Sequence, residues 1–230
     1  MINEINSNSI NYYPLIQPID AIYSLGGSIS DLASRVNDYV RESILIQFVL
    51  GAALGMVAGY VTFNFLTLPV VTQLLGVEKT AKILAQNPFA DMKDMDFIEK
   101  FFLSIEACIG APILEEIIFR GFLMDAMGSQ FNESFREYFP EDTVQRVAQV
   151  ATILFSSIIF GVVHFFNAIA FSCSPVLLLP QVINATFGGI GFAIAKELTA
   201  DCEKEPLGPL RLPIYMHFGN NLMYCIQLFI

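Results

Sequence analysis

The stretch APILEEIIFR (residues 111–120) places two adjacent carboxylates and one arginine inside an apolar run. A charge at the centre of a membrane helix costs at least about 2.5 kcal/mol, so this run needs an explanation. Glu116 precedes Arg120 by four residues, which favours an ion pair on one helix face. Glu115 lies about 100° further around the helix, so the two acids should have different surroundings. Two neighbouring acids in different surroundings are a common basis for acid–base chemistry. The alternative interpretation of these charges is an ion-pair network that only fixes helix packing.

The rest of the chain indicates that this run lies in a membrane protein. Of its 230 residues, 54% are hydrophobic and only 15% are charged, whereas a soluble domain usually has about a quarter charged. The charges crowd into short connectors between long apolar runs, a distribution typical of membrane proteins. The net charge of −10 argues against nucleic acid as a partner, and we expect membrane lipid instead. The sequence does not indicate an oligomeric state.

Five apolar segments predict an all-α, polytopic transmembrane bundle. They cover residues 44–71, 101–127, 147–171, 176–195 and 212–230. Each should be helical, because lipid tolerates only a backbone with internally satisfied hydrogen bonds. In the first segment Gly51, Gly55 and Gly59 share one face, which predicts close packing within the chain, with dimerisation as the alternative. The apolar spacing of residues 28–42 predicts a short amphipathic helix before the bundle.

The pattern divides the chain into a polar N-terminal segment (1–42), a first transmembrane helix with its connector (43–97) and a membrane core (98–230). The N-terminus lacks the basic and apolar regions of a signal peptide, so the first span is expected to direct insertion. The distribution of Lys and Arg favours a cytoplasmic N-terminus. The cysteines show no CxxC spacing, which predicts buried free thiols. They are Cys108, Cys173, Cys202 and Cys225.

Both histidines of the chain, His164 and His217, fall in predicted spans. His217 and Asn221 are four residues apart, so they share a helix face and should converge on one polar pocket. With Glu115, two imidazoles and an amide can activate water and stabilise an oxyanion. One Glu and two His are also a plausible zinc set, and a lone membrane histidine is often only a hydrogen-bonding residue. Neither HExxH nor GxSxG occurs in the sequence.

Three motifs resemble those of the CPBP family of intramembrane proteases, the CAAX-protease and bacteriocin-processing group. Residues 115–120 (EEIIFR) match the EExxxR motif, residues 160–164 (FGVVH) match FxxxH, and residues 217–221 (HFGNN) match HxxxN. They occur in the order found in the family, each on a predicted span. The resemblance covers residues 98–230 as a catalytic membrane core. It implies an intramembrane endopeptidase that acts on a membrane-associated protein or peptide, located in a bacterial inner membrane.

The resemblance also implies a role for each motif residue. Glu115 looks like the base that activates water, with His164 assisting it. His217 and Asn221 resemble a pair that stabilises the oxyanion. No cofactor is expected, because a His/Asn face suits oxyanion binding better than zinc ligation. The zinc-dependent alternative, which would make the chain resemble a metalloendopeptidase, uses Glu115, His164 and His217 as ligands.

The remaining motif residues resemble supporting groups. Glu116 and Arg120 would orient the site, and Phe160 would pack against it. Relatives that process prenylated CAAX proteins have more helices than this chain, so only the catalytic motifs carry over. A different class of function stays open: a non-catalytic membrane scaffold or bacteriocin-immunity factor that retains the polar cluster. A proton-coupled transporter fits less well, because the five segments show no internal repeat.

Overall fold

The computed structural model describes residues 44–86, 92, 94–200, 207–226 and 229. Within these ranges the ordered elements are all helical and no strand occurs, which agrees with the all-α prediction. The amphipathic helix predicted at residues 28–42 lies outside the described part of the chain. The division at residues 42/43 and 97/98 stays a prediction.

Six helices of nine or more residues make up the described bundle. We number them α1 (Ile44–Leu75), α2 (Val77–Ala85), α3 (residues 97–135), α4 (Glu141–Val163), α5 (Leu179–Leu198) and α6 (Arg211–Ile226). After α4 the chain tightens into a 3-10 turn at His164–Phe166 and a short helix at Asn167–Ala170. Further 3-10 turns, Pro175–Leu178 and Gly208–Leu210, precede α5 and α6.

Three stretches of this bundle are long and apolar enough to cross a membrane, judged by length and composition. They are Ile44–Leu75, Glu141–Ala170 and Pro175–Leu198, which correspond to the first, third and fourth predicted segments. The second and fifth predicted segments also form helices, α3 and α6. That these two cross the membrane stays a prediction, because α3 carries the buried charges and α6 has 16 residues.

Helix α3 is not a uniform α-helix. A π-helical stretch at Glu106–Gly110 directly precedes the segment Ala111–Glu116, and a second one follows at Ile117–Leu123. Pro112 lacks an N–H group, so an upstream carbonyl loses its helical partner and the turn can widen. Pro69 follows a π-helical stretch in α1 in the same way. The two acids therefore lie on one short α-helical segment between two widened turns.

Helices α1 and α6 pack backbone against backbone through glycine. A Cβ atom on Gly51 would lie 2.6 Å from Cβ of Tyr215, and one on Gly55 would overlap the carbonyl of Met216. The contact is reciprocal, because a Cβ on Gly219 of α6 would overlap the backbone of α1. Such close approach is how helices associate in lipid, where dispersion replaces the hydrophobic effect. The predicted packing of the glycine face within the chain is confirmed.

A small apolar core joins α3, α4, α5 and α6. Its buried members are Phe119, Phe160, Phe192, Ala195 and Met216. Helix α4 packs against α3 and α5, and α6 packs against α1, α5 and the first half of α3. The three sequence motifs lie on α3, at the end of α4 and on α6, so this packing brings them to one place.

Candidate active site

The centre of the polar cluster is a fully buried ion pair between Glu116 and Arg120, both 0% exposed. Arg120 Nε lies 3.3 Å from Glu116 Oε2, and Nη2 donates a 2.8 Å hydrogen bond to the carbonyl of Gly189. The guanidinium carbon stands 4.4 Å from the centre of the Phe160 ring and 5.6 Å from that of Phe192. These aromatic faces compensate part of the lost hydration of the cation. The ion pair predicted from the four-residue spacing is present.

His217 is held by the same buried carboxylate. Its Nδ1 lies 2.9 Å from Glu116 Oε1, and because a carboxylate only accepts, Nδ1 carries the proton. Phe192 stacks on the imidazole at 4.7 Å between ring centres, with an angle of 21° between the planes. Arg120, Glu116 and His217 therefore form a chain of contacts that fixes the ring. The bond between Glu116 and His217 joins residues 101 positions apart, so no sequence spacing indicated it.

Glu115 approaches the other side of the same imidazole. Its Oε2 lies 3.7 Å from His217 Nε2, beyond direct hydrogen-bond distance, and this buried oxygen has no hydrogen-bond partner among the described residues. The Glu115 side chain is 30% exposed, whereas that of Glu116 is 0% exposed. The two acids differ in their surroundings, as predicted. They nevertheless meet at one residue, because the two imidazole nitrogens point in different directions.

His164 lies where α4 ends, and the local geometry explains the spacing of the FxxxH motif. Its Nδ1 donates a 2.8 Å hydrogen bond to the carbonyl of Phe160, four residues earlier. The helix tightens at its end, so the backbone N–H of His164 bonds to the carbonyl of Gly161. The imidazole ring then supplies the donor for the Phe160 carbonyl, which the backbone N–H would satisfy in a regular α-helix. The Phe160 ring contacts both imidazoles, with centroid distances of 4.9 Å to His164 and 5.7 Å to His217.

Asn221 follows His217 by one turn of α6 but makes its contacts elsewhere. Its Nδ2 donates a 2.7 Å hydrogen bond to the carbonyl of Ala107, in the π-helical stretch of α3 that precedes the acids. Its Oδ1 accepts from Asn220 Nδ2 at 3.2 Å. One of the two amide N–H groups is therefore already used. The structure places His164 and His217 against Phe160 and Glu115 beside His217, and it bonds Asn221 to α3.

Sequence reasoning missed two contributions of α5. Gly189 supplies the carbonyl that accepts from Arg120, and Phe192 supplies the face on which His217 stacks. A Cβ on Gly189 would lie 3.0 Å from Arg120 Nη2 and 3.1 Å from the Phe160 ring. The glycine-rich stretch at residues 188–191 is typical of close helix contact, but nothing in its spacing identifies Arg120 as the neighbour.

The donor set does not match the predicted zinc alternative. Among the described residues, no group of three or more His, Cys, Asp or Glu side chains is arranged to hold a metal ion. Nδ1 of His217 bonds to Glu116 and Nδ1 of His164 bonds to a backbone carbonyl, which leaves only the Nε2 atoms of the two rings as possible ligands. The arrangement therefore gives no support to a metalloendopeptidase. That the chain needs no cofactor stays a prediction.

The helical bundle holds a buried Glu–His cluster of a kind suited to acid–base chemistry. A family model described as type II CAAX prenyl endopeptidase Rce1-like matches residues 97–223, more than half of the chain. The chain therefore belongs to this Rce1-like CAAX protease family, part of the CPBP family that its motifs resemble. Members are CAAX intramembrane peptidases, which suggests an intramembrane endopeptidase. Comparison with curated proteins and with solved structures found no match.

Proposed function

We propose that this chain is an intramembrane endopeptidase in which Glu115 takes a proton from the attacking water. The observation that carries the proposal is the pair formed by Glu115 Oε2 and His217 Nε2, 3.7 Å apart. Two polar atoms at such a distance can be bridged by one water molecule. The unpartnered carboxylate oxygen is the natural acceptor of its proton while the water oxygen bonds to the peptide carbonyl carbon. When the C–N bond then breaks, Glu115 returns this proton to the leaving amine.

The buried ion pair supports this chemistry by fixing the imidazole of His217. Glu116 accepts from Nδ1, so it orients the ring and offsets the charge of the imidazolium form, which the proposal requires and which holds its second proton on Nε2 throughout the reaction. Arg120 places a positive charge beside the fully buried Glu116 carboxylate. With Nε2 protonated, His217 donates to the oxygen that becomes negative as water attacks.

His164 and Asn221 complete the proposed machinery. His164 lies beside Phe160 with Nδ1 occupied, so its Nε2 is the nitrogen that assists proton transfer at Glu115. Asn221 would donate the N–H group that Ala107 does not use to the oxyanion. This role requires the substrate carbonyl to lie near the first half of α3, where the Asn221 amide donates to Ala107.

The proposed substrate is a peptide bond of a membrane-associated protein or peptide. The family description names CAAX prenyl endopeptidases, so a lipid-modified C-terminal segment is the first candidate. The surfaces of α1 and α4 are apolar and exposed, as expected for lipid contact, and they would bring the site close to such a substrate.

The experiment replaces Glu115 by Gln in the full chain, reconstituted in liposomes with membrane-anchored peptides with and without a prenylated CAAX end. Glu106→Gln is the matched control, because Glu106 lies on the same helix and is exposed. We expect Glu115→Gln to lower the cleavage rate by about 10²–10⁴-fold, the range for loss of a general base. Glu106→Gln should cleave at the rate of the unmodified chain. Equal cleavage by both variants would favour a different base, and a cluster that serves only as a scaffold predicts no cleavage by any form.

A further inference from the structure

Two buried thiols outside the proposed machinery are in direct contact. Cys108 lies in the first π-helical stretch of α3 and is 4% exposed, and Cys225 lies near the end of α6 and is 7% exposed. Their sulfur atoms are 3.3 Å apart, with Cys108 donating to Cys225 across 117 positions of sequence. These two are buried free thiols, as predicted, whereas Cys173 is a free thiol that is only half-buried. Cys202 lies outside the described residues.

The thiol pair belongs to a contact that joins the two helices of the proposed site. Cys108 directly follows Ala107, whose carbonyl accepts from Asn221, and Cys225 follows Asn221 by one turn of α6. The same interface therefore contains one amide–carbonyl bond and one thiol pair. It connects the helix that carries Glu115 to the helix that carries His217.

We propose that Cys108 and Cys225 are a redox-active dithiol that closes to a reversible disulfide and ties α3 to α6. A disulfide has an S–S length of about 2.05 Å, so the two sulfur atoms would have to approach by about 1.2 Å from their 3.3 Å separation. The widened turn around Cys108 is a place where the backbone can adjust.

The oxidation is a two-electron reaction with an oxidant of the diazene class, such as diamide. One thiol adds to the N=N bond and forms an S–N bond. The second sulfur, as thiolate, attacks the first, so that the S–S bond forms while the S–N bond breaks. The two thiol protons and the electron pair end on the oxidant, which leaves as a hydrazine. A dithiol reductant reverses the change by thiol–disulfide exchange.

The test treats the full chain in membranes with diamide or copper–phenanthroline, blocks the remaining thiols, and maps linked peptides by mass spectrometry. We expect a peptide pair joined through Cys108 and Cys225, lost again after reduction. Cys173→Ser should give the same link, and Cys225→Ser should give none. The oxidised chain should also unfold at a higher temperature than the reduced chain, with no such shift for Cys225→Ser, because the disulfide constrains the unfolded state.

Two results would overturn the proposal. The first is a wild-type chain, folded by its unfolding temperature, in which neither oxidant joins Cys108 to Cys225. The second is a link from either cysteine to Cys173 or Cys202 in place of the 108–225 link. Since the readout is a covalent bond, the outcome does not depend on peptide cleavage.

Discussion

Replacing Arg120 by Met should destabilise the bundle strongly, because it leaves the carboxylate of Glu116 buried without its cation. Both side chains are 0% exposed, and breaking a buried ion pair costs about 3–5 kcal/mol. The carbonyl of Gly189 also loses its donor, and an unsatisfied buried acceptor costs about 1–3 kcal/mol, part of which overlaps the first cost. Glu116→Gln should lower the free energy of unfolding by a similar amount. The double variant should cost about 2–4 kcal/mol less than the sum of the single changes, because it leaves no unpaired charge.

The assay is reversible unfolding of purified protein in mixed micelles, followed by circular dichroism against the fraction of denaturing detergent. The matched control is Arg136→Met, which breaks the ion pair with Glu141 at 3.8 Å, where the side chains are 64% and 82% exposed. That exposed pair should contribute less than about 1 kcal/mol. The reasoning is refuted if Arg120→Met costs no more than Arg136→Met, or if the two changes of the buried pair are additive.

Three further predictions use matched variants or a reagent. Gly189→Ala should lower the free energy of unfolding by about 1–3 kcal/mol and slow cleavage, because its Cβ would lie 3.0 Å from Arg120 Nη2. Gly191→Ala should have neither effect, because its Cβ would meet nothing within 4 Å. Gly55→Ala should lower the free energy of unfolding by about 3 kcal/mol, because its Cβ would overlap the backbone of α6. Gly110→Ala, whose Cβ meets no neighbour within 4 Å, should be at least as stable as the wild type. Cleavage should persist after incubation with a strong zinc chelator, and activity restored only by added zinc would contradict the metal-free proposal.

The sequence predicted those features that depend on spacing within one helix. The four-residue step from Glu116 to Arg120 indicated their ion pair, and the four-residue glycine repeat indicated the packing of α1. In both cases the helix itself places the residues on one face, so no knowledge of the remaining fold is needed. The all-α character followed in the same way from long apolar runs.

The features that the sequence did not predict join different helices. The bond from His217 to Glu116 and the bond from Asn221 to Ala107 span more than a hundred residues, and only the packing of α6 against α3 creates them. The π-helical stretches also escaped prediction, although Pro112 marks one of them. Their widened turns change the direction of side chains along α3, so positions on an ideal helix did not show that both acids reach one imidazole.

The most direct test of the central claim follows oxygen from ¹⁸O-labelled water during a single turnover with excess enzyme. If Glu115 acts as a base, one ¹⁸O atom enters the new carboxyl group of the product, and the tryptic peptide that contains Glu115 stays unlabelled. If Glu115 attacked the peptide bond itself, water that attacks the Glu115 carbonyl of the resulting anhydride would put the label on the enzyme and leave the product unlabelled. The account predicts label in the product alone. Label on Glu115, or product formed by Glu115→Gln at the wild-type rate, would contradict it.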